Sequence, residues 1–158
     1  LGLRHMQPFH LSSVLKSFKT VYPESLLFIF ESEIILMGSN THLKYHPHQA
    51  QKVWKTVTQD LERIQSNSPL SADDLLAGFQ ASTENVKKMG SAGQLITEDN
   101  GLLEFQLPFE MQTPNSINLK QSLNRHISSV FEILDLSQLS EAEKTSWQIK
   151  SAKKMNKH

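Results

Sequence analysis

Three histidines stand within one short stretch, THLKYHPH, at His42, His46 and His48. Imidazole is the commonest side-chain ligand for zinc and its neighbours, and three this close could reach a single ion. The spacing works against it. Pro47 interrupts the helix that would set His42 and His46 on one face, and no Asp or Glu lies between Asn40 and Gln59 to complete or orient the ligand set. A polar loop facing water is the expected role, with a metal site at His42, His46 and His48 as the weaker alternative. A second group with chemical potential is Glu98-Asp99, in ITEDNGLLEFQLP. Adjacent carboxylates could serve chemistry or only start a strand. They also suit a turn, and Thr97 and Asn100 on either side favour one. The residues alone therefore predict a turn leading into a strand over 102–107.

Other chemistries find little to stand on. The chain has no cysteine, which removes thiolate metal ligands, disulfides and a cysteine nucleophile. No G-x-S-x-G elbow is present, and the six glycines form neither a G-x-G loop nor a Walker A sequence. A catalytic residue cannot be assigned from these patterns.

The elements that must position these groups are legible from periodicity. Leu11, Val14, Leu15, Phe18 and Val21 recur at helical spacing behind Pro8, which suits a first turn, and Tyr22-Pro23 ends that helix. LLFIF and IILM are two β-type runs joined by Glu31-Ser32-Glu33, so an antiparallel hairpin is expected at about 26–38. Both arms are apolar on both faces, and Phe28 and Ile35 are expected to be buried, with Phe18 or Trp54 packed on the hairpin. Ala50, Val53, Trp54, Val57, Leu61 and Ile64 mark a further helix. Ser71 is a candidate N-cap for a helix running through ADDLLAGF, and STENVKKMG forms a short helix closed by Gly90. A helix is expected over 118–134, from Leu119, Leu123, Ile127, Val130 and Leu134. Ser140 and Glu143 have the spacing of a capping box that starts the last one. The fold class is α+β, mostly helical.

Bulk composition sets outer limits. At 158 residues and 18.0 kDa the chain is long enough to bury a real core. Lys+Arg and Asp+Glu are 16 each, so no net charge draws it to nucleic acid or to anionic lipid. No apolar run approaches the 18 or so residues of a membrane span, and Arg4, His5, Gln7 and His10 interrupt any leader-like pattern at the start. A cytoplasmic location fits these features.

Three stretches together resemble the C-terminal part of the spermidine synthase-like (aminopropyltransferase-like) family, especially the forms fused to membrane transporter segments. VLKSFKTVYPES is similar to that family's helix ending in Phe-x-x-x-Phe-Pro, with Tyr22 for the second Phe. LLFIFESEIILMGS resembles its closing hairpin, which ends in Leu-x-Gly-Ser. ITEDNGLLEFQLP resembles its Thr-Asp-Asp-x-Pro-x-Leu-Glu-Phe segment on Thr97, Glu98, Asp99, Leu103, Glu104 and Phe105. Glu98 replaces the first Asp of the pair and Gly101 the Pro. The resemblance implies the last elements of a methyltransferase-type α/β sheet followed by a helical extension, with residues 1–110 as the family segment and 111–158 as the extension. It implies an S-adenosyl-type cofactor for the parent family, held by a glycine-rich half that precedes this chain, and Glu98 and Asp99 as candidate polyamine-binding residues. The expected partner is then that missing N-terminal half or a second copy of the chain. A non-catalytic interaction or oligomerisation module is the alternative.

Overall fold

The computed structural model describes residues 6–30, 33–62, 72–100 and 116–155. The fold is α+β, and its described parts comprise six α-helices and a three-stranded antiparallel sheet. Two compact units share the chain: residues 1–43 with 79–129, and residues 44–78 with 130–158. The boundary expected between residues 110 and 111 and the strand expected at 102–107 lie outside the described residues.

In the first unit, α1 (Pro8–Val21) begins with proline at its first position and ends at Tyr22, in the extended conformation that a following proline imposes. The hairpin follows, β1 (Glu24–Phe30) pairing with β2 (Glu33–Ser39) so that Leu27 faces Leu36 and Phe28 faces Ile35. Directly paired residues share a face. One face therefore carries Leu27, Ile29, Ile34 and Leu36. Leu27 and Ile34 join a core with Leu11 and Leu15 of α1, Val86 and Met89 of α4 (Thr83–Gly90), and Leu119 and Leu123 of α5 (Ser116–Asn124), while Ile29 and Leu36 pack against it. On the other face Leu26 and Phe28 are buried, but Ile35 and Met37 are 47% and 48% exposed. The expectation that Ile35 is buried is thus corrected: cover on this face reaches the central strand and stops short of β2. Cover on the first face comes from Leu11 and Leu15, one turn apart on α1, while the Phe18 ring lies against Tyr22 at 4.9 Å. Tyr22 in turn sits over Gly38, where a Cβ would collide with its ring.

A third strand, β3 (Phe79–Ala81), extends the sheet in the order β2-β1-β3. Apolar periodicity predicts it only as the end of a helix. The preceding helix, α3 (Ala72–Ala77), stops before Gly78, and FQA is held in the sheet by pairing with β1, not by its own β-propensity. Leu27 pairs with Ala81 and Phe28 with Phe79, so Gln80 is an extra residue. Such a bulge breaks the alternation. It lets Ala81 join the Leu27 core while the Phe79 ring meets Phe28 edge-on at 5.6 Å.

The helix expected over 118–134 is shorter. α5 ends at Asn124, and Ile127 is 47% exposed. Beyond it the chain is captured by β3 and α4: the Ser128 N–H donates to Gln80 O at 2.9 Å, and its hydroxyl accepts from Ser82 N at 2.8 Å and from Asn85 Nδ2 at 2.9 Å. Gln80 Nε2 meanwhile donates to Leu123 O at the helix end. These long-range bonds compete with continued helix and win over its apolar spacing.

The second unit contains α2 (Pro47–Glu62), α3, a 3₁₀ turn (Val130–Glu132) and α6 (Glu141–Met155). Its buried apolar side chains include Leu76, Ile133, Leu134 and Leu139. Tyr45 and Leu134 form a parallel bridge, Tyr45 N–H donating to Ile133 O at 2.7 Å and Asp135 N–H to Tyr45 O at 2.9 Å. Trp54, the alternative to Phe18 for packing on the hairpin, is half-buried on α2. The Ser140–Glu143 capping box forms as the spacing predicts: Glu143 Oε2 accepts from Ser140 N at 2.8 Å, and the Ser140 hydroxyl lies within reach of the Glu143 N–H. No helix among the described residues is long and apolar enough to cross a membrane.

Candidate functional site

Glu98 and Asp99 lie in a turn spanning residues 98–100, and both are exposed. Neither carboxylate closes the turn. Asn100 does, its Oδ1 accepting from Thr97 N at 3.3 Å and its Nδ2 donating to Leu95 O. The stretch before it runs extended along α1 and is fastened at three points. Gln94 N–H donates to Ser13 Oγ at 3.1 Å, Ile96 N–H to Ser17 Oγ at 2.7 Å, and Lys16 Nζ to Gly93 O at 2.8 Å. The spacings match physically: residues four apart on a helix rise about 6 Å, and residues two apart on an extended chain advance about 6.6 Å. Each serine hydroxyl donates to a carbonyl one turn back, Ser13 to Phe9 and Ser17 to Ser13, which aims its lone pairs at the passing chain. Gly93 is needed here, since a Cβ at that position would overlap the backbone of Ser12 and Ser13. Sequence inspection missed Ser13, Lys16 and Ser17, although serines four apart beside the apolar stripe are a visible signal.

The three histidines are not brought to one ion. Among the described residues no group of three or more His, Cys, Asp or Glu is placed to hold a metal. Each imidazole instead meets a carboxylate from a distant part of the sequence. In the first unit His42 Nδ1 lies 2.8 Å from Glu24 Oε2, which also accepts from Thr83 Oγ1 at 3.3 Å. In the second, His46 Nδ1 lies 3.2 Å from Asp135 Oδ2 and His48 Nε2 lies 2.9 Å from Glu143 Oε1. The missing acids near THLKYHPH are therefore supplied by tertiary structure, one apiece.

Electrostatics follow from these pairs. Hydrogen bonds from the Ser140 hydroxyl and from His48, with the Ser140 N–H, hold the Glu143 carboxyl down at about 2, against an ordinary value of 4.5. Asp135 is likewise lowered, first by Ser137, whose N–H donates to its Oδ1 at 2.8 Å, then by the charges of His46 and Lys44. Within the same unit an open cavity of about 320 Å³ lies beside α2. Tyr45, Val53, Trp54 and Leu75 contribute its apolar lining, and Lys44, His46 and Gln49 its polar groups.

Compared with protein-family models, with curated proteins and with solved structures, the chain finds no match.

Proposed function

We propose that the chain is the C-terminal portion of a spermidine synthase-like protein of the aminopropyltransferase or methyltransferase type. In this reading Glu98 and Asp99 attract a cationic amine acceptor, and an S-adenosyl-type cofactor is held by a glycine-rich half outside these 158 residues. One observation carries it. Two of the stretches that resemble the family are contiguous, at 14–25 and 26–39, and the third begins about sixty residues later at Ile96, yet α1, the β1–β2 hairpin and the 93–100 segment belong to one unit, with that segment fastened to α1 by Ser13, Lys16 and Ser17. Exposed carboxylates on a turn fixed in this way suit an amine arriving from solvent, because opposite charge within a few ångströms favours both ionised forms.

Calorimetric titration with putrescine, S-adenosylmethionine and its decarboxylated form tests the proposal. Putrescine is expected to bind weakly, and Glu98→Gln with Asp99→Asn is expected to remove that heat without lowering the unfolding temperature. Tight binding of either sulfonium compound by this chain alone would overturn the assignment of the cofactor half elsewhere. Putrescine binding that survives the double substitution would overturn the role of the two acids.

A second reading, an oligomerisation module without catalysis, is favoured by exposed apolar side chains, notably Ile35 and Met37 on β2 and Val53 on α2 at 61%. Its occupant is a second copy of the chain. A clean monomer by light scattering at high protein concentration would dismiss it.

A further inference from the structure

We propose that the cavity beside α2 is a binding site for a small aromatic carboxylate, a role independent of the transferase reading. The floor is apolar and partly aromatic, from Tyr45, Val53, Trp54 and Leu75. The half-buried Trp54 indole and the tyrosine ring supply flat faces for offset or edge-on stacking. The polar side chains that line it, Lys44, His46 and Gln49, bring an ammonium and an amide N–H, and no carboxylate lines it among the described residues. Asp135, the acid beside His46, is already engaged, by His46 Nδ1 at 3.2 Å and by the Ser137 N–H at 2.8 Å. The backbone bridge at Tyr45, with bonds of 2.7 and 2.9 Å to Ile133 and Asp135, holds the stretch from Lys44 to His46 in place without a ligand.

Size and charge narrow the occupant. A volume of about 320 Å³ lies at the small end of ligand cavities, so a single ring with a short acidic arm fits better than a nucleotide. An ammonium at the rim and an uncharged floor discriminate by charge at one end only. An anion is therefore favoured over its neutral analogue and a cation disfavoured. With so few atoms and an open site, the dissociation constant is expected on the order of millimolar.

The test uses the full chain carrying Trp147→Phe, so that Trp54 is the sole indole. Phenylacetate, 2-phenylethanol and phenethylamine form a set of one shape and three charges. Phenylacetate is expected to change Trp54 emission saturably, with phenethylamine binding at least ~10-fold more weakly. Lys44→Gln is expected to weaken phenylacetate several-fold and leave 2-phenylethanol unchanged. Leu75 is 41% exposed, so Leu75→Glu should fold normally, and its carboxylate at the cavity should abolish phenylacetate binding. Equal binding of all three compounds, or no saturable response to phenylacetate, would overturn the proposal. So would phenylacetate binding that is indifferent to both substitutions while the unfolding temperature stays unchanged.

Discussion

At the scale of residues, the strongest constraints sit where sequence inspection had least to say. Glu98 and Asp99 drew attention by their charge, yet Asn100 shapes their turn and two serines and a lysine on α1 fix its approach. The local turn propensity of Thr97 to Asn100 was legible. The fastening to α1 was not, because it joins residues about eighty positions apart, by hydroxyl groups whose local role in a helix is only to bond back one turn. The fastening is measurable. Gln94 and Ile96 belong to no helix or strand, so unfastened amides there would exchange quickly. Their hydrogen bonds to Ser13 and Ser17 should slow exchange, and Ser17→Ala should restore fast exchange at Ile96. Unprotected amides in the unsubstituted protein would refute the contact. Gly93→Ala is the harsher probe. Its Cβ would overlap the helix backbone at Ser12 and Ser13, which has no side-chain freedom to yield. Overpacking of this kind costs about 1–3 kcal/mol, readable as a fall in the denaturant midpoint.

At the scale of elements, local signals located most starts and long-range bonds decided several ends. Pro8 at the head of α1 and the Ser140–Glu143 box at the head of α6 were both readable, since a cap satisfies groups within four residues of itself. The end of α5 at Asn124, the strand at Phe79 and the exposure of Ile35 were not, since each depends on a partner distant in sequence. The hairpin's two faces make this testable. Leu27 is fully buried in the core shared with α1, α4 and α5, so Leu27→Ala should cost about 2–5 kcal/mol. Ile35, half-exposed on the other face, should tolerate Ile35→Thr with a loss under about 1 kcal/mol. Similar losses at both sites in equilibrium unfolding would mean that the second face is covered after all. The start of α6 carries a pH signature. Glu143 is lowered in the folded chain from 4.5 to about 2, so its contribution is complete above 4.5 and is lost as pH falls through that window toward 2. Glu143→Gln should remove this acid-side loss. The same slope of stability against pH in both proteins would show that the box does not bind its acid as described.

At the scale of the whole molecule, the chain leaves its first unit after residue 43, returns at 79 and leaves again after 129, so neither unit is a continuous stretch. Linear reading divides a sequence where composition changes. Here the connections at these points, such as the turn from Leu75 to Gly78 into β3, carry no such change. Charge, in contrast, is a whole-chain quantity that sequence gives directly. Equal numbers of acidic and basic residues and an isoelectric point near 7.2 leave no long-range field to concentrate polyanions. The local pairs point the same way: His42, His46 and His48 each face a carboxylate, and Lys144 meets Glu141 at 2.6 Å, so these side chains have partners within the chain. The chain should therefore pass through a heparin column at physiological ionic strength, where screening acts over about 8 Å. Its solubility should be lowest near its isoelectric point and rise on either side, since net charge keeps molecules apart. Retention on heparin that weakens steeply with added salt would reveal a basic surface that the balanced total conceals, and would reopen nucleic acid as a partner.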